Sequence, residues 1–230
     1  MKIKKLTLAT SHLSDQIDFY NNTLHFKILA QGSEFIEFKT GDSILRFEEK
    51  ETSTPYHFAF NIPSYQETEA LEWLEKKVKI VPYETEKIIP FNDWNAKAMY
   101  FHDKDHNIVE FIARKNLDIH TEEPFSSQSI LEISEMGVPV MDISPIYYQL
   151  NSNVKLETYS GSIDRFCAIG DENGLFIVIN KHKKPKWFPS DDIAFSSDFK
   201  AIVSNGGKPY SIIFREEKIY THELKSNHHS

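Results

Sequence analysis

Tyr56–Pro63, YHFAFNIP, decides the fold, because here the chain begins a pattern it has already run through once. Phe58, Phe60 and Ile62 alternate with His57, Ala59 and Asn61, the period of a strand with two different faces. Ser64 and Glu67 follow at the spacing of a helix-opening capping box. Leu71, Leu74 and Val78 then fall on one helical face, with Trp73 beside it. KIVPYE, KAMYFHD and NIVEFIAR read as three further strands, so the unit is β-α-β-β-β.

The first copy of that unit opens the chain. KKLTLAT is a strand in which Leu6 and Leu8 alternate with Lys5, Thr7 and Ala9. Ser14 or Asp15 is placed to cap a helix with Ile17, Tyr20 and Leu24 on one face. EFIEFKT and DSILRFEEK form a hairpin about Thr40-Gly41-Asp42. A third copy begins at ILEISEMGVPV, continues through a helix after Asp142 with Ile143, Ile146, Tyr147 and Leu150, and ends in KLETYSG, DRFCAIG and GLFIVINK. IAFSSDFKAIVS and YSIIFREEKIY read as a fourth copy without its helix, with Gly206 and Gly207 in a hairpin turn. NLDIHTEEPFSSQS lacks periodicity and reads as a linker. The expected organisation is a domain of two units over 1–115, a linker over 116–128, and a second, degenerate domain over 129–230. Four repeats of one supersecondary unit fix the architecture before any single residue is considered.

Bulk properties narrow the function. A net charge of −8 disfavours nucleic acid or an anionic membrane as the main partner. The basic run Lys181–Lys186 reads as a solvated turn. Cys167 is the single cysteine, which excludes a disulfide framework and a cysteine zinc site; in RFCAIG it reads as a buried, inert thiol. The N-terminus enters a strand pattern directly and has no long apolar run, so the expectation is a cytoplasmic protein. The terminal NHHS is a polar tail. No Gly-rich phosphate loop, zincin helix or nucleophile elbow occurs.

KLTLATSHLSDQIDFYNNTLHFKI and YFHDKDHNIVEF resemble the opening and closing segments of the vicinal oxygen chelate superfamily: glyoxalases, extradiol dioxygenases, and fosfomycin- and bleomycin-resistance proteins. Lys104 stands in the usual proline position and His106 in the usual glycine position of the closing motif. The resemblance covers 1–115 well, 129–180 more weakly, and the remainder thinly. It implies an α+β fold of curved mixed sheets, each pair of units wrapping a cup lined by the small and polar strand faces.

The resemblance also implies one metal ligand on the first strand and one on the last strand of each unit. Carried over, the second unit supplies His57 and Glu110, and the first supplies Lys5 and Arg46. With the first two units sharing a cup, two candidate ligands would face two cations. A unit charge about 4 Å from another contributes roughly 4 kcal/mol at an effective dielectric of ~20, and about twice that against a dication. The expectation is therefore a degenerate, metal-free site, with Zn, Fe or Mn on His57 and Glu110 as the alternative. Lys5 or Arg46 would pair with Glu110 or hold an anionic group, with Asn61 as a further substrate contact. Glu135 and Ile177 occupy the third unit's two positions, and one carboxylate there was not expected to make a site. His12, and His102 and His106 beside a turn, read as surface histidines; Trp94 and Tyr100 are candidates for a pocket mouth.

The expected function is a glyoxalase/bleomycin resistance/dioxygenase-like protein binding a small organic molecule, anionic if Lys5 and Arg46 are used. If it is an enzyme, His57 or Glu110 would act as base, and Lys5 or Arg46 would stabilise an oxyanion. A metal-dependent lyase or extradiol-type dioxygenase, and a non-catalytic sequestration protein, are the alternatives. A homodimer is an open option.

Overall fold

A computed structural model describes residues 1–225; the NHHS tail lies outside them. The first unit comprises β1 (Lys2–Thr10), a short helix α1 (Leu13–Ile17) that continues as a π turn (Asp18–Thr23), β2 (Lys27–Gln31), β3 (Phe35–Thr40) and β4 (Ser43–Glu49). The second has β5 (His57–Ile62), α2 (Glu67–Glu75), β6 (Ile80–Val81), β7 (Ile89–Phe91), β8 (Ala96–His102) and β9 (Ile108–Arg114). The third has β10 (Glu132–Val140), α3 (Ser144–Val154), β11 (Thr158–Ser162), β12 (Phe166–Asp171) and β13 (Gly174–Asn180). Three strands without a helix close the described chain: β14 (Phe199–Asn205), β15 (Lys208–Arg215) and β16 (Lys218–Glu223). YSIIFREEKIY forms the last two of these, split where Glu216 and Glu217 turn with positive φ. No helix among the described residues is long and apolar enough to cross a membrane.

Helix starts differ from their predicted caps. Gln66, not Ser64, holds the N-cap position of α2, because Tyr65 turns the chain through φ 69° first. The Ser64 hydroxyl instead donates to the Arg114 carbonyl at 2.7 Å, tying the helix approach to the end of β9. His12 precedes α1, with no side-chain cap. Asp142 does accept from the Ser144 backbone N–H, as its position before α3 suggests.

The strands share one hydrogen-bonded sheet whose path runs β16-β15-β14-β1-β10-β5-β9-β8-β6. This order determines which units meet. β1 lies antiparallel to β14 over Lys2–Leu8, and β5 lies antiparallel to β10, whereas β1 touches β10 in register at Ile3–Ile133 alone. The first unit therefore lies against the fourth, and the second against the third. The hairpin between β3 and β4 is pinned to this arrangement. Gly41 has φ 60°, and a Cβ there would sit 1.9 Å from the Leu131 carbonyl oxygen, so glycine is required.

Tyr20, Phe26, Phe38, Phe47, Phe58 and Phe60 anchor one continuous core beneath the helices. A second apolar cluster, with Ala59, Ala98, Tyr100, Ile112, Ile177 and Trp187, fills the opposite face of the second and third units. β5, β9 and β10 are consequently buried on both faces, whereas β1 and β15 alternate between buried and more accessible positions.

Candidate functional site

The residues opposite Ala59 define the site. β5 is parallel to β9 and antiparallel to β10, and Ala59 is the register partner of both Glu110 and Glu135. His57 is two residues earlier on the same face of β5. The three side chains converge: His57 Nε2 is 3.5 Å from Glu110 Oε2, and a donor atom from each of His57, Glu110 and Glu135 lies within 4.8 Å of the others. All three are buried, and they border a cavity of about 460 Å³ lined also by Trp94, Tyr100, Ile177, Lys184, Trp187 and Phe188.

Burial dominates the electrostatics here. It pushes the His57 imidazole down to about 4, an effect that Lys184 reinforces and the Ile108 carbonyl opposes. His57 Nδ1 lies 3.2 Å from that carbonyl, which can only accept. The ring proton is therefore placed on Nδ1, and the Nε2 lone pair faces the carboxylates. Burial also raises Glu110 well above the usual carboxylate range, the neighbouring Glu135 charge adds to this, and Arg114 opposes it. Glu135 is raised by burial and drawn back by Arg114, which donates to its Oε1. Arg114 is itself fully buried; its Nε donates to Asn61 Oδ1 at 3.2 Å, and its Nη1 has no acceptor among the described residues.

These residues fit a divalent ion. An imidazole nitrogen and a carboxylate face one another as acceptors, and a second carboxylate lies alongside. The Ile108 carbonyl orients the ligating ring, as outer-shell partners of metal-binding histidines do. Two carboxylates plus Arg114 sum to a charge of −1, the same as a two-histidine, one-carboxylate set of the kind that binds iron. Ile177 holds the remaining register-equivalent position and offers no donor, which leaves one side open, as catalytic metal sites require.

Lys5 and Arg46 lie elsewhere. They belong to a second cup, in which Thr7 of β1 is the register partner of both Arg46 on β4 and Lys200 on β14. Lys5 is two residues before Thr7. Lys5, Arg46 and Lys200 thus repeat the positions of His57, Glu110 and Glu135. Lys5 and Arg46 both bond Glu37, the latter at 2.7 Å, and Arg46 also bonds Glu48 at 2.9 Å. The expected pairing of either cation with Glu110 is therefore not formed, because the first unit meets the fourth and not the second. Asn61 is fully buried and does not line the cavity; it holds Arg114 and donates to the Glu172 carbonyl at 2.9 Å.

Glu135 adds a third donor beside His57 and Glu110, the two that the sequence places together. Its signal was present, since it occupies the family's first-strand position in the third unit, but the partnering of units was needed to use it. Lys184 was read as part of a solvated turn. It is mostly buried, lies 5.5 and 5.8 Å from the ring centroids of Phe166 and Trp187, and borders the cavity. Burial first, and then the nearby Arg165 charge, hold its pKa down. Trp94 and Tyr100 line the cavity as expected.

No protein-family profile and no curated protein sequence matches this chain. Solved structures do. A Bacillus subtilis "putative dioxygenase" aligns over 97% of this chain and 84% of its own, at 11% identity and a TM-score of 0.64. A glyoxalase I mutant from Zea mays aligns over 77% of this chain and 66% of its own, at 14% identity and a TM-score of 0.52. The architecture shared with these structures, together with the repeated β-α-β-β-β unit, is the vicinal oxygen chelate fold.

Proposed function

We propose that the cup between the second and third units binds a divalent metal on His57, Glu110 and Glu135, and takes a small anionic organic molecule beside it. The observation that carries this reading is the convergence of three buried donors, one with its lone pair held inward, on a cavity with an open side. The cations that argued against a metal in the sequence lie in the other cup, paired with Glu37 and Glu48.

When bound, the metal would supply Lewis-acid polarisation of a substrate oxygen. The chain's own groups do the rest. Lys184, without a carboxylate partner among the described residues, faces the cavity as the cation for an anionic group. Trp94, Phe166, Trp187 and Phe188 exclude water and cover an apolar body. Glu110, its carboxyl raised by burial, is suited to hold or accept a proton, with the Tyr100 hydroxyl beside it. A lyase, isomerase or ring-cleaving activity is compatible with this donor set.

Elemental analysis of purified protein tests the reading. The expected result is one equivalent of zinc, iron or manganese bound in a His57-dependent manner, lost in His57→Ala, with Lys184→Met weakening anionic ligands in a thermal-shift screen. A metal content unchanged by His57→Ala overturns it.

A further inference from the structure

The turn between β8 and β9 carries a second convergence of donors, outside the cup. His102 Nε2 lies 2.6 Å from Asp192 Oδ2, and His106 Nε2 lies 3.4 Å from Asp192 Oδ1. The two imidazoles stack at 3.9 Å between centroids and 4° between planes, so both Nε2 edges meet one carboxylate. Ligands on a tetrahedral zinc at about 2.1 Å stand roughly 3.4 Å apart; the His106–Asp192 spacing already matches this, and the 2.6 Å His102–Asp192 hydrogen bond has to open by roughly 0.8 Å as the ion replaces its proton.

The turn is built to hold the rings in place. Buried Asp103 accepts from the backbone N–H groups of Asp105 and Asn107, from the Asn107 amide and from the Tyr20 hydroxyl. His106 adopts φ 63°, a left-handed conformation that glycine would take without strain, and so directs an imidazole where a glycine would leave none. Asp192 comes from a different part of the chain, the strap Trp187–Ile193. Its carbonyl accepts from the Trp187 N–H at 2.8 Å, and Lys186 bridges Ile193. The same strap places Trp187 and Phe188 over the cup, with Trp187 4.8 Å from the His57 ring.

We propose that His102, His106 and Asp192 form a second divalent-metal site, which fastens the Trp187–Ile193 strap to the β8–β9 turn and so holds the cup's aromatic cover closed. Two imidazoles and one carboxylate suit zinc, iron or a neighbouring divalent transition metal, and zinc serves as the probe. The site does not require a metal in the cup, so its failure and that of the proposed function are separable.

The test is a zinc titration of metal-stripped full-length protein, read by calorimetry and by trypsin cleavage after Lys186. Wild type is expected to bind one equivalent more than His102→Ala/His106→Ala. At free zinc about ten times the dissociation constant, opening of the strap, and cleavage with it, slows about tenfold. His57→Ala, which empties the cup, keeps that protection. His106→Gly, which suits the turn's backbone, and Asp192→Asn both lose it. Equal stoichiometry in wild type and the double histidine variant overturns the site; zinc bound without protection of Lys186 overturns the latch.

Discussion

Thr7 and Ala59 occupy the same place in two copies of one strand arrangement, each paired across a parallel strand on one side and an antiparallel strand on the other. Around Ala59 stand His57, Glu110 and Glu135; around Thr7 stand Lys5, Arg46 and Lys200. The first set is buried, its side chains 4 to 6% exposed where measured in ion pairs, while the Lys5, Arg46 and Lys200 side chains are 30, 20 and 61% exposed. Exposure explains why the two sets behave differently. Screened cations settle for local partners, Glu37 and Glu48. Buried acids and an imidazole cannot reach water, and shift their protonation, find Arg114, or take a cation. The same backbone thus yields a site in the covered cup and an ion-pair lattice in the open one.

The sharpest way to break this comparison is to remove one guanidinium from each cup. Arg114→Met strands Glu135 as an unpaired buried acid and is expected to cost about 3–5 kcal/mol. Arg46→Met leaves the partly exposed Glu37 and Glu48 to water and to Lys5 and Lys200, and is expected to cost about 1 kcal/mol or less. Urea unfolding of both variants measures the difference, and equal losses would show that burial is not what separates the cups. Arg114→Met/Glu135→Met should recover most of the loss, since both charges then leave together.

The next effect is on pH dependence. His57 is held down to about 4 in the folded chain, against 6.5 for the free side chain. Between those values the unfolded chain binds the proton and the folded chain does not, so the stability associated with neutral His57 is present above about pH 6.5 and lost as pH falls toward 4. The full shift corresponds to about 3 kcal/mol. Glu110 and Glu135 are shifted upward and act in the opposite sense: their contribution is present below the normal carboxylate pKa and is lost as pH rises through their folded values. In chelator-treated protein, the stability difference between wild type and His57→Gln should therefore change across pH 4–6.5 in favour of wild type at the upper end. A pH-independent difference would mean that His57 is not desolvated.

Much of this was legible in the sequence, and what was missing has one cause. The repeat and the alternation in β1 and β5 follow from local periodicity, and the family resemblance adds the positions of His57, Glu110, Lys5, Arg46 and Glu135. Local periodicity is the same in every copy, however, and so it cannot say which copies pair. That choice rests on long-range contacts such as Ile3 with Val203, and Phe58 with Met136. Pairing units that are adjacent in sequence sets Lys5 and Arg46 against Glu110 and leaves Glu135 alone. Lys184 was hidden for a related reason. A lysine-rich turn looks solvated until a strap folds it against Phe166 and Trp187. The same strap brings Asp192 to His102 and His106, a meeting across ninety residues of chain.

Register equivalence can be tested by transplanting the donor set. Lys5→His, Arg46→Glu and Lys200→Glu together rebuild the donor triad in the open cup, best read in the His102→Ala/His106→Ala background. The new site is more open to water, its three positions having side chains 20 to 61% exposed. It is expected to bind zinc only about tenfold above background, about 1.4 kcal/mol. Affinity equal to that of the covered cup would show that three register positions suffice and that enclosure adds little.

The smallest effect is the most discriminating about mechanism. Glu48 lies between Arg46 at 2.9 Å and Lys200 at 3.5 Å. Burial alone would raise its carboxyl, yet those two cations outweigh it and hold it below its ordinary value. Because the group remains a quarter exposed, Glu48→Gln is expected to cost only about 0.5 kcal/mol. Most of that should vanish in 1 M salt, where the screening length falls to about 3 Å. Arg114→Met, measured in the same salt, should keep nearly all of its penalty, because mobile ions do not reach a fully buried guanidinium. Salt therefore separates the two cups without altering a ligand or a metal: one network is dissolved by ions and the other is insulated from them. If both penalties fell together, the covered cup would have to be open to solvent, and its proposed role in holding a metal and an apolar substrate would fall with it.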